Sequence, residues 1–432
     1  MVQFHGGTSG VLLAFAALLG ACAQSSSGSL VPTPTTRPAT PKTIAVSETP
    51  ATQAPRAASF EQWRNQFRTR ALAAGITPAT FDSAYRGIGL NQQVQSLDRK
   101  QPEFSRPIWE YLDSAVSANR VATGKRNAQR KGEVLERIQA RFGVDYPAIL
   151  AVWGLESGYG GNFGSIPVIE SMSTLAYDGR RQAFAEEQLI AALRILQAGD
   201  ITPSRMVGSW AGAMGHTQFI PTSFLEYAVD FTGDGKRDLW ASDAVDALAS
   251  TANYLSRFGW TQGAPAVIEV RLPEGFDYRQ ASQSVKQPAQ TWRALGVAPV
   301  RGGALPAADA VSILLPAGAR GPAFAAYPNF RVIKRYNNST SYALAVAHLA
   351  DRIAGAPGFA GNWPRDDRTL SRTEKQELQT RLTQLGYDTK GVDGIIGPNS
   401  RNAVRAFQSA RGLVPDGYVS AALLREVRAA GG

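Results

Sequence analysis

Residues 147–160 read Pro-Ala-Ile-Leu-Ala-Val-Trp-Gly-Leu-Glu-Ser-Gly-Tyr-Gly, an apolar stretch with one carboxylate. Ile149, Val152, Trp153 and Glu156 recur at the spacing of one helix face, so the sequence predicts a helix over residues 146–156. The glycines that follow directly are typical of a helix C-terminus. The predicted helix therefore ends just after a carboxylate.

Glu156 is the one charged residue on this apolar helix face. Because a carboxylate loses hydration among apolar neighbours, we expect its pKa to be raised. A carboxylic acid that stays protonated near neutral pH can donate a proton to a leaving group. The alternative is a structural ion pair between Glu156 and an arginine.

Helical periodicity recurs along most of the chain and predicts a mainly α fold. The other helical patterns lie at residues 60–71, 109–116, 132–142, 183–196, 243–258 and 342–353. The alternating stretches 267–272 and 310–315 predict short strands between them. The sequence thus predicts one large unit, residues 59–355, that carries a small β-containing insertion.

The composition is that of a globular protein with a polyanionic partner. Of the 432 residues, 44% are hydrophobic and 19% are charged, and the net charge is +10. No Lys/Arg-rich run, zinc-ligand spacing or nucleic-acid motif is present, so we expect no nucleic-acid partner. Anionic lipid and an acidic cell wall remain as candidates.

The N-terminal region predicts export and lipid anchoring. Residues 11–19 form an apolar run of signal-peptide length, too short to span a bilayer. The following Leu-Gly-Ala-Cys resembles the lipobox of bacterial lipoproteins. This resemblance implies a signal peptide over residues 1–22, lipidation of Cys22 and a periplasmic location, with Ala23 favouring the outer membrane. Residues 23–58, rich in Ser, Thr, Pro and Ala, predict a disordered tether.

After a linker at residues 356–370, residues 371–432 predict a separate three-helix domain. Its expected core is Leu378, Leu382, Leu385, Val404, Phe407, Leu413, Leu423 and Leu424. Helix caps are expected at Asn399 or Ser400 and at Ser420, and positive φ angles are expected at glycines 391, 394 and 397. The motifs Leu-Gly-Tyr, Val-Asp-Gly-Ile-Ile-Gly-Pro and Phe-Gln resemble the peptidoglycan-binding domain of cell-wall hydrolases. The alternative is a purely structural helical appendage.

Residues 208–224 form the densest cluster of small and polar residues. Ser209 and Gln218 can hydrogen-bond an acetamido or hydroxyl group, while Met214 and Phe219 offer apolar surface to a sugar ring. The glycines between them predict a close backbone approach to a ligand or, alternatively, tight helix packing.

Three motifs together resemble the membrane-bound lytic murein transglycosylase B family, over residues 60–353. They are Glu156-Ser157-x-Tyr159-Gly160, Gly212-Ala-Met-Gly-x-x-Gln218-Phe-x-Pro221 and Tyr336-Asn337-Asn338-Ser339. The resemblance implies a lysozyme-like α+β catalytic domain that cuts the bond between N-acetylmuramic acid and N-acetylglucosamine. It implies that Glu156 first protonates the glycosidic oxygen and then deprotonates the muramic C6 hydroxyl, which closes a 1,6-anhydro ring.

The same resemblance assigns substrate-binding roles. It implies that Ser209 and Gln218 position the substrate, that Tyr336 and Asn337 lie near the reacting ring, and that two further tyrosines contact sugars. Those two are Tyr254 and Tyr342. Both lie within helical patterns, and from the pattern alone each is as readily a core residue as a sugar-binding residue.

The residues themselves favour a single acid/base. Hydrolysis with two carboxylates needs a second one at about 5–5.5 Å for retention or about 6.5–9.5 Å for inversion. No second acid occurs within the motifs, although Asp145, Glu170, Asp178, Glu186 and Glu187 are near in sequence. An intramolecular hydroxyl nucleophile removes the need to activate water. A hydrolytic N-acetylmuramidase and a non-catalytic wall-binding scaffold are the alternatives.

Residues 230–238, Asp-Phe-Thr-Gly-Asp-Gly-Lys-Arg-Asp, resemble the start of an EF-hand loop. The expected ligands of a structural calcium (or sodium) ion are Asp230, Thr232, Asp234 and the carbonyl of Lys236. Position 12 is Ala241, and the family resemblance implies that a later residue, Asp243 or Asp246, closes the site. The alternative is an Asx-rich turn without metal. We expect no cofactor in the chemistry.

The three histidines, His5, His216 and His348, are too scattered in sequence to predict a zinc site. His216 lies in the motif region, where we expect a polar loop residue without a catalytic role.

Overall fold

The computed structural model describes residue 57, residues 59–99 and residues 106–431. The predicted signal peptide, the lipidation site Cys22 and nearly all of the predicted tether lie outside the described residues. Within the described part, no helix is both long enough and apolar enough to cross a membrane.

Helices dominate the described part of the chain, as the sequence predicts. The helices are α1 (Phe60–Ala73), α2 (Pro78–Ala84), α3 (Gln92–Arg99), α4 (Ile108–Ala115), α5 (Ala118–Arg130), α6 (Gly132–Phe142), α7 (Tyr146–Ser157), α8 (Val168–Asp178), α9 (Gln182–Ala198), α10 (Pro221–Tyr227), α11 (Val245–Arg257), α12 (Ala289–Ala294), α13 (Pro328–Tyr336), α14 (Thr340–Ile353), α15 (Arg372–Gln384), α16 (Pro398–Ala410) and α17 (Ala421–Ala430). The strands are β1 (Ile166–Pro167), β2 (Val207–Gly208), β3 (Val267–Arg271), β4 (Ala298–Pro299), β5 (Ser312–Leu314) and β6 (Ala323–Ala326).

Helix α7 lies at the centre of the large unit and packs chiefly against α14, with α5, α6 and α11 around it. Every residue from Ala148 to Gly154 is buried, because this stretch is apolar on all sides. The helix ends where Gly158 adopts a left-handed conformation (φ 60°), as the glycine signal predicts. Glu156 is thus held at the end of a rigid, buried element.

The β-containing insertion forms a four-stranded antiparallel sheet in the order β4-β3-β6-β5. Val267 pairs with Ala326 and Ser312 pairs with the same residue from the other side, so β6 lies in the middle. The sheet packs on its own core around Trp292 and Tyr327. Both predicted strand regions are confirmed by β3 and β5.

The C-terminal residues form the predicted three-helix domain, α15–α17, around a separate apolar core. Ser371 and Glu374 form a reciprocal capping box at the start of α15. The predicted cap at Ser420 is confirmed, since its hydroxyl accepts a hydrogen bond from the Leu423 amide at 3.0 Å.

Three details of this domain differ from prediction. Neither Asn399 nor Ser400 caps α16, because Pro398 already occupies the first helical position and Gly397 is the N-cap. Gly397 has a φ of −85°, so only the other two glycines of this turn have positive φ. Leu413 is 38% exposed and lies outside the core, because it follows the end of α16.

Candidate active site

The carboxylate of Glu156 lies in the last turn of α7 and accepts a hydrogen bond from the Tyr342 hydroxyl, with 2.5 Å between Oη and Oε1. Burial raises the pKa of Glu156 to about 7, although the bond from Tyr342 lowers it in part. In the described part of the chain Glu156 forms no ion pair, so the alternative of a structural bridge to arginine is wrong. Protonated and ionised forms of Glu156 therefore coexist near neutral pH.

Tyrosine hydroxyls surround this acid. Burial and the charge of Glu156 together raise the pKa of Tyr111 to about 12, and the same two causes raise the pKa values of Tyr336 and Tyr342 well above the ordinary tyrosine value. All three tyrosines thus remain neutral hydrogen-bond donors at physiological pH. Tyr111 was not singled out in the sequence, where Trp109 and Tyr111 only supply helical periodicity.

Tyr254 and Tyr336 pack together in one aromatic cluster, with ring centroids 4.9 Å apart. The Tyr254 hydroxyl donates to the Arg335 carbonyl at 2.6 Å, and the Tyr336 hydroxyl donates to the Thr217 carbonyl at 2.5 Å. Tyr254 is 9% exposed, so it belongs largely to the core. Tyr336 is the more accessible of the two.

The motif Tyr336-Asn337-Asn338-Ser339 connects α13 to α14. Asn337 Oδ1 accepts a hydrogen bond from the Ser339 amide at 3.1 Å, and the Ser339 hydroxyl caps α14 through the Tyr342 amide at 3.3 Å. This connection sets the start of α14 and therefore the position from which Tyr342 reaches Glu156. The sequence offered a signal for this role, since a Ser before a helical pattern is a typical N-cap.

The strands β1 and β2 bring Ser209 into a tight loop beside α8. The Ser209 amide donates to the Ala213 carbonyl at 2.8 Å, and its Oγ accepts from the Ala213 amide at 3.1 Å. A Cβ atom at Gly208 would lie 2.2 Å from the Ala213 carbonyl oxygen. The predicted close approach of the backbone is thus an approach to the loop's own backbone.

Gln218 is buried with a left-handed backbone (φ 52°), which is uncommon for a side-chain-bearing residue. Its Nε2 donates to the Gly215 carbonyl at 2.9 Å and to the Phe163 carbonyl at 3.2 Å. These bonds fix the amide so that Oε1 is left as a buried acceptor without a partner in the described structure. Backbone strain and an unsatisfied acceptor are both typical of ligand sites.

Met214 and Phe219 differ from the prediction. Met214 is fully buried and Phe219 is only 3% exposed, so neither presents apolar surface to a sugar ring in this structure. Met214 lies between Gly208 and Phe219 in bridge pairings of the loop, which turns its side chain into the core. Phe219 packs instead on Tyr254 and Tyr336.

His216 is buried against helix α7. Its Nδ1 accepts a hydrogen bond from Trp153 Nε1 at 3.0 Å, and its Nε2 donates to the Ala241 carbonyl at 2.9 Å. Burial lowers the pKa of His216, which keeps it neutral. The predicted polar loop residue is therefore a structural link. The sequence feature that reflects this packing is the glycine at position 160. A Cβ atom there would lie 2.3 Å from the imidazole of His216.

Four of the five acids close to Glu156 in sequence have hydrogen-bond or ion-pair partners away from it. Asp145 accepts from Trp260 Nε1 at 2.9 Å, Glu170 from Asn91 at 3.2 Å and Glu186 from Arg70 at 2.7 Å. Asp178 pairs with Arg99, and Glu187 lies at a surface cleft beside Arg194. Within the described residues, none of these five carboxylates is bonded to Glu156 or its tyrosines.

The predicted metal loop brings Asp230, Asp234 and Asp246 together, with carboxylate oxygens within 4.8 Å of one another. The Thr232 hydroxyl donates to Asp230 at 3.2 Å, and the Lys236 amide donates to Asp234 at 2.9 Å. Of the two candidates for closing the loop, Asp246 joins this cluster. Asp243 instead accepts from the Val245 amide at the start of α11. Clustered carboxylate oxygens suit calcium.

The profile of the transglycosylase SLT domain family matches residues 59–351, the part of the chain that contains Glu156 and every residue around it. The chain belongs to this family. A putative peptidoglycan binding domain matches residues 371–426, downstream of the SLT domain.

The chain is similar to three named proteins. Membrane-bound lytic murein transglycosylase B of Escherichia coli (strain K12) is 31% identical over 273 residues, or 61% of this chain and 73% of the relative. SltB3 from Pseudomonas aeruginosa, solved in complex with NAG-anhNAM-pentapeptide, is 51% identical with a TM-score of 0.84, covering 86% of this chain and all of that chain.

The third similar protein is Escherichia coli Slt35, solved in complex with calcium. It is 27% identical with a TM-score of 0.59, covering 67% of this chain and 92% of that chain. The predictions of a mainly helical lysozyme-like fold and of a lytic transglycosylase are confirmed by these matches.

Proposed function

We propose that this lytic transglycosylase cuts the β-1,4 bond between N-acetylmuramic acid and N-acetylglucosamine in peptidoglycan with Glu156 as its only acid and base, leaving 1,6-anhydromuramic acid ends. One observation carries the proposal. The carboxyl group of Glu156, with its pKa raised to about 7, receives a hydrogen bond from a neutral tyrosine, and within the described residues no second carboxylate is bonded to it or shifts its pKa.

In the first step the protonated Glu156 donates its proton to the glycosidic oxygen, and the bond from that oxygen to the muramic C1 breaks. Because Tyr342 already donates to Oε1, the transferable proton belongs on Oε2. The leaving sugar departs as a neutral alcohol with the bonding electron pair, and the muramic C1 is left as an oxocarbenium ion. Glu156 becomes a carboxylate that the Tyr342 hydroxyl stabilises.

In the second step the Glu156 carboxylate takes the proton of the muramic C6 hydroxyl while the C6 oxygen attacks C1. The new C–O bond closes the anhydro ring and restores the protonated acid, so no water is consumed. A nucleophile in the same molecule gains from proximity and needs no second carboxylate to activate it.

Gln218 and Ser209 supply the substrate contacts that the geometry supports best. Gln218 Oε1 is an unpartnered acceptor, suited to the N–H of an acetamido group. Ser209 Oγ accepts two backbone N–H groups, from Ala211 and Ala213, so its own proton is available to donate. Among the aromatic residues, the half-buried Tyr336 is the proposed sugar contact, while Tyr342 holds the acid and Tyr254 supports Tyr336 from the core.

The decisive experiment compares the wild type with Glu156→Gln on purified sacculi. We expect the wild type to release anhydro fragments, each one water lighter by mass spectrometry than the hydrolysed equivalent. The variant should lose activity by about 10²–10⁴-fold while still sedimenting with sacculi. Hydrated products would favour the hydrolytic muramidase, and no turbidity loss with the wild type would favour the scaffold.

We also propose that residues 371–432 bind peptidoglycan and that Cys22 anchors the protein by lipid in the periplasm, at the outer membrane. The match to a putative peptidoglycan binding domain and the lipobox-like sequence support these roles. A chain truncated after residue 370 should cut soluble glycan but no longer sediment with sacculi. Cys22→Ser should abolish palmitate labelling and release the protein from membranes.

For the metal loop we propose a structural calcium ion held by Asp230, Asp234 and Asp246, with Thr232 and Lys236 completing the loop. The clustered carboxylates of this chain and the calcium complex of Slt35 support the assignment. The ion would stabilise the loop that carries Ala241 and so would act at a distance from the chemistry.

A further inference from the structure

A basic cleft lies beside the turn that ends the catalytic helix and has no part in the chemistry described above. Its volume is about 460 Å³. One wall is formed by Arg126, Arg130 and their neighbours on α5, and the other wall is the backbone of residues 158–161. The cleft thus joins directly to the segment that carries Glu156.

The charge of this cleft is uncompensated. Helix α5 reads ANRVATGKRNAQR, with four basic residues and no Asp or Glu. Arg126 and Arg130 are both exposed, and within the described residues neither guanidinium forms an ion pair. Two arginines one helical turn apart lie on the same face, so their charges add at one place.

Neutral side chains hold both guanidinium groups in position. Arg126 Nη2 donates to the Thr123 hydroxyl at 2.8 Å, and Arg130 Nη2 donates to Asn127 Oδ1 at 2.8 Å. Asn127 is only 5% exposed, so its amide is a fixed anchor. Partners of this kind orient a guanidinium without cancelling its charge, and they leave further N–H groups free for a planar anion.

The short distance between Glu156 and the edge of the cleft indicates which class of anion the cleft would bind. The Cα atoms of Glu156 and Gly158 lie no more than about 7.6 Å apart, since each peptide link spans about 3.8 Å. A peptide attached to the sugar at the scissile bond covers about 10 Å with three extended residues, which exceeds the Glu156–Gly158 separation and suffices to reach the Gly158 edge of the cleft. Its carboxylate groups match the bidentate geometry of arginine.

We propose that Arg126 and Arg130 form a subsite for the carboxylates of the peptide stem carried by the glycan strand being cut. This inference rests on the proposed function, because it takes peptidoglycan as the substrate. The subsite would make the enzyme prefer strands that retain their stem peptides over strands that have lost them.

The test measures kcat/KM on two substrates, glycan strands with intact stem peptides and the same strands after an amidase has removed the stems. We expect Arg126→Gln/Arg130→Gln to lose about tenfold on the intact strands, chiefly through KM, and to match the wild type on the stripped strands. Lys125→Gln is the matched control, because it removes an exposed charge from the same helix outside the cleft lining. It should leave both values unchanged.

Equal loss on both substrates, or no loss on either, would overturn the subsite. A wild type that cuts neither substrate would instead contradict the proposed function itself, so the two failures are distinguishable. Thermal unfolding of each variant, followed by circular dichroism, separates a binding effect from misfolding.

Discussion

Replacing Tyr342 with phenylalanine tests the link between the tyrosine hydroxyl and the acid. The hydroxyl donates to Glu156 Oε1 at 2.5 Å, and this bond favours the ionised form. A hydrogen bond to a charged group contributes about 1.5–3 kcal/mol, and one pKa unit corresponds to about 1.4 kcal/mol. Loss of the bond should therefore raise the pKa of Glu156 from about 7 by roughly one to two units.

The sign of the effect on activity follows from the first step. Because that step needs protonated Glu156, kcat/KM is high below the pKa of Glu156 and falls as pH rises through about 7. In Tyr342→Phe the alkaline limb should move to higher pH, while the maximum rate falls because the carboxyl group is less well oriented. The assay is the pH profile of turbidity loss with purified sacculi.

Tyr327→Phe is the matched control for this profile. Tyr327 is equally buried, and its hydroxyl donates to the Pro306 carbonyl in the β-containing insertion, away from Glu156. Its alkaline limb should coincide with that of the wild type. An unmoved limb in Tyr342→Phe, or one displaced to lower pH, would refute the reasoning.

Three further predictions concern stability and support of the site. The pKa of Glu156 rises from 4.5 to about 7 on folding, so the stability that its protonated form contributes is present below pH 4.5 and is lost as pH rises through about 7. Glu156→Gln should therefore raise the unfolding free energy at pH 8 by up to about 3 kcal/mol and change it little at pH 4, as measured by urea titration; equal effects at both pH values would contradict this. Millimolar calcium should raise the melting temperature of the wild type but not of Asp246→Asn, because Asp246 completes the carboxylate cluster; an unchanged wild-type melting curve would refute the metal site. His216→Phe should lower kcat while wall binding persists, since the phenyl ring keeps the packing but loses the bonds to Trp153 and Ala241; a full kcat would show that these bonds do not position the catalytic helix.

Local signals were sufficient to predict α7 and the buried carboxyl group at its end, but not seven of the helices in the described part of the chain, α2, α3, α5, α8, α10, α12 and α13. The periodicity over residues 146–156 and the glycines after it predict α7 to within a residue, because helix formation and termination depend on neighbours in sequence. The raised pKa of Glu156 also follows from its apolar neighbours on the same helix. The strands β3 and β5 could be predicted from the sequence for the same reason, since alternation of apolar and polar residues is a local pattern.

Residue roles that depend on contacts between distant parts of the chain could not be predicted from the sequence. Tyr342 lies 186 residues from Glu156 in the chain, and its helical pattern did not distinguish a core residue from a ligand contact. It is both buried and bonded to the acid. The prediction that Met214 contacts a sugar ring differs from the structure for the opposite reason. The motif suggests a ligand surface, while the pairing within the loop turns the side chain inward.

The tyrosine also constrains the order of events in the proposed reaction. Oε1 of Glu156 already accepts from the Tyr342 hydroxyl, so in the proposed reaction Oε2 gives up the first proton and takes the second one. The glycosidic oxygen and the C6 hydroxyl therefore have to occupy the same position against Oε2 in succession. The leaving sugar must withdraw before the C6 hydroxyl can be deprotonated, and a water that entered this position first would give the hydrolysed product instead. Exclusion of water from one carboxylate oxygen, during one exchange of partners, is thus what would separate a transglycosylase from a hydrolase in this site.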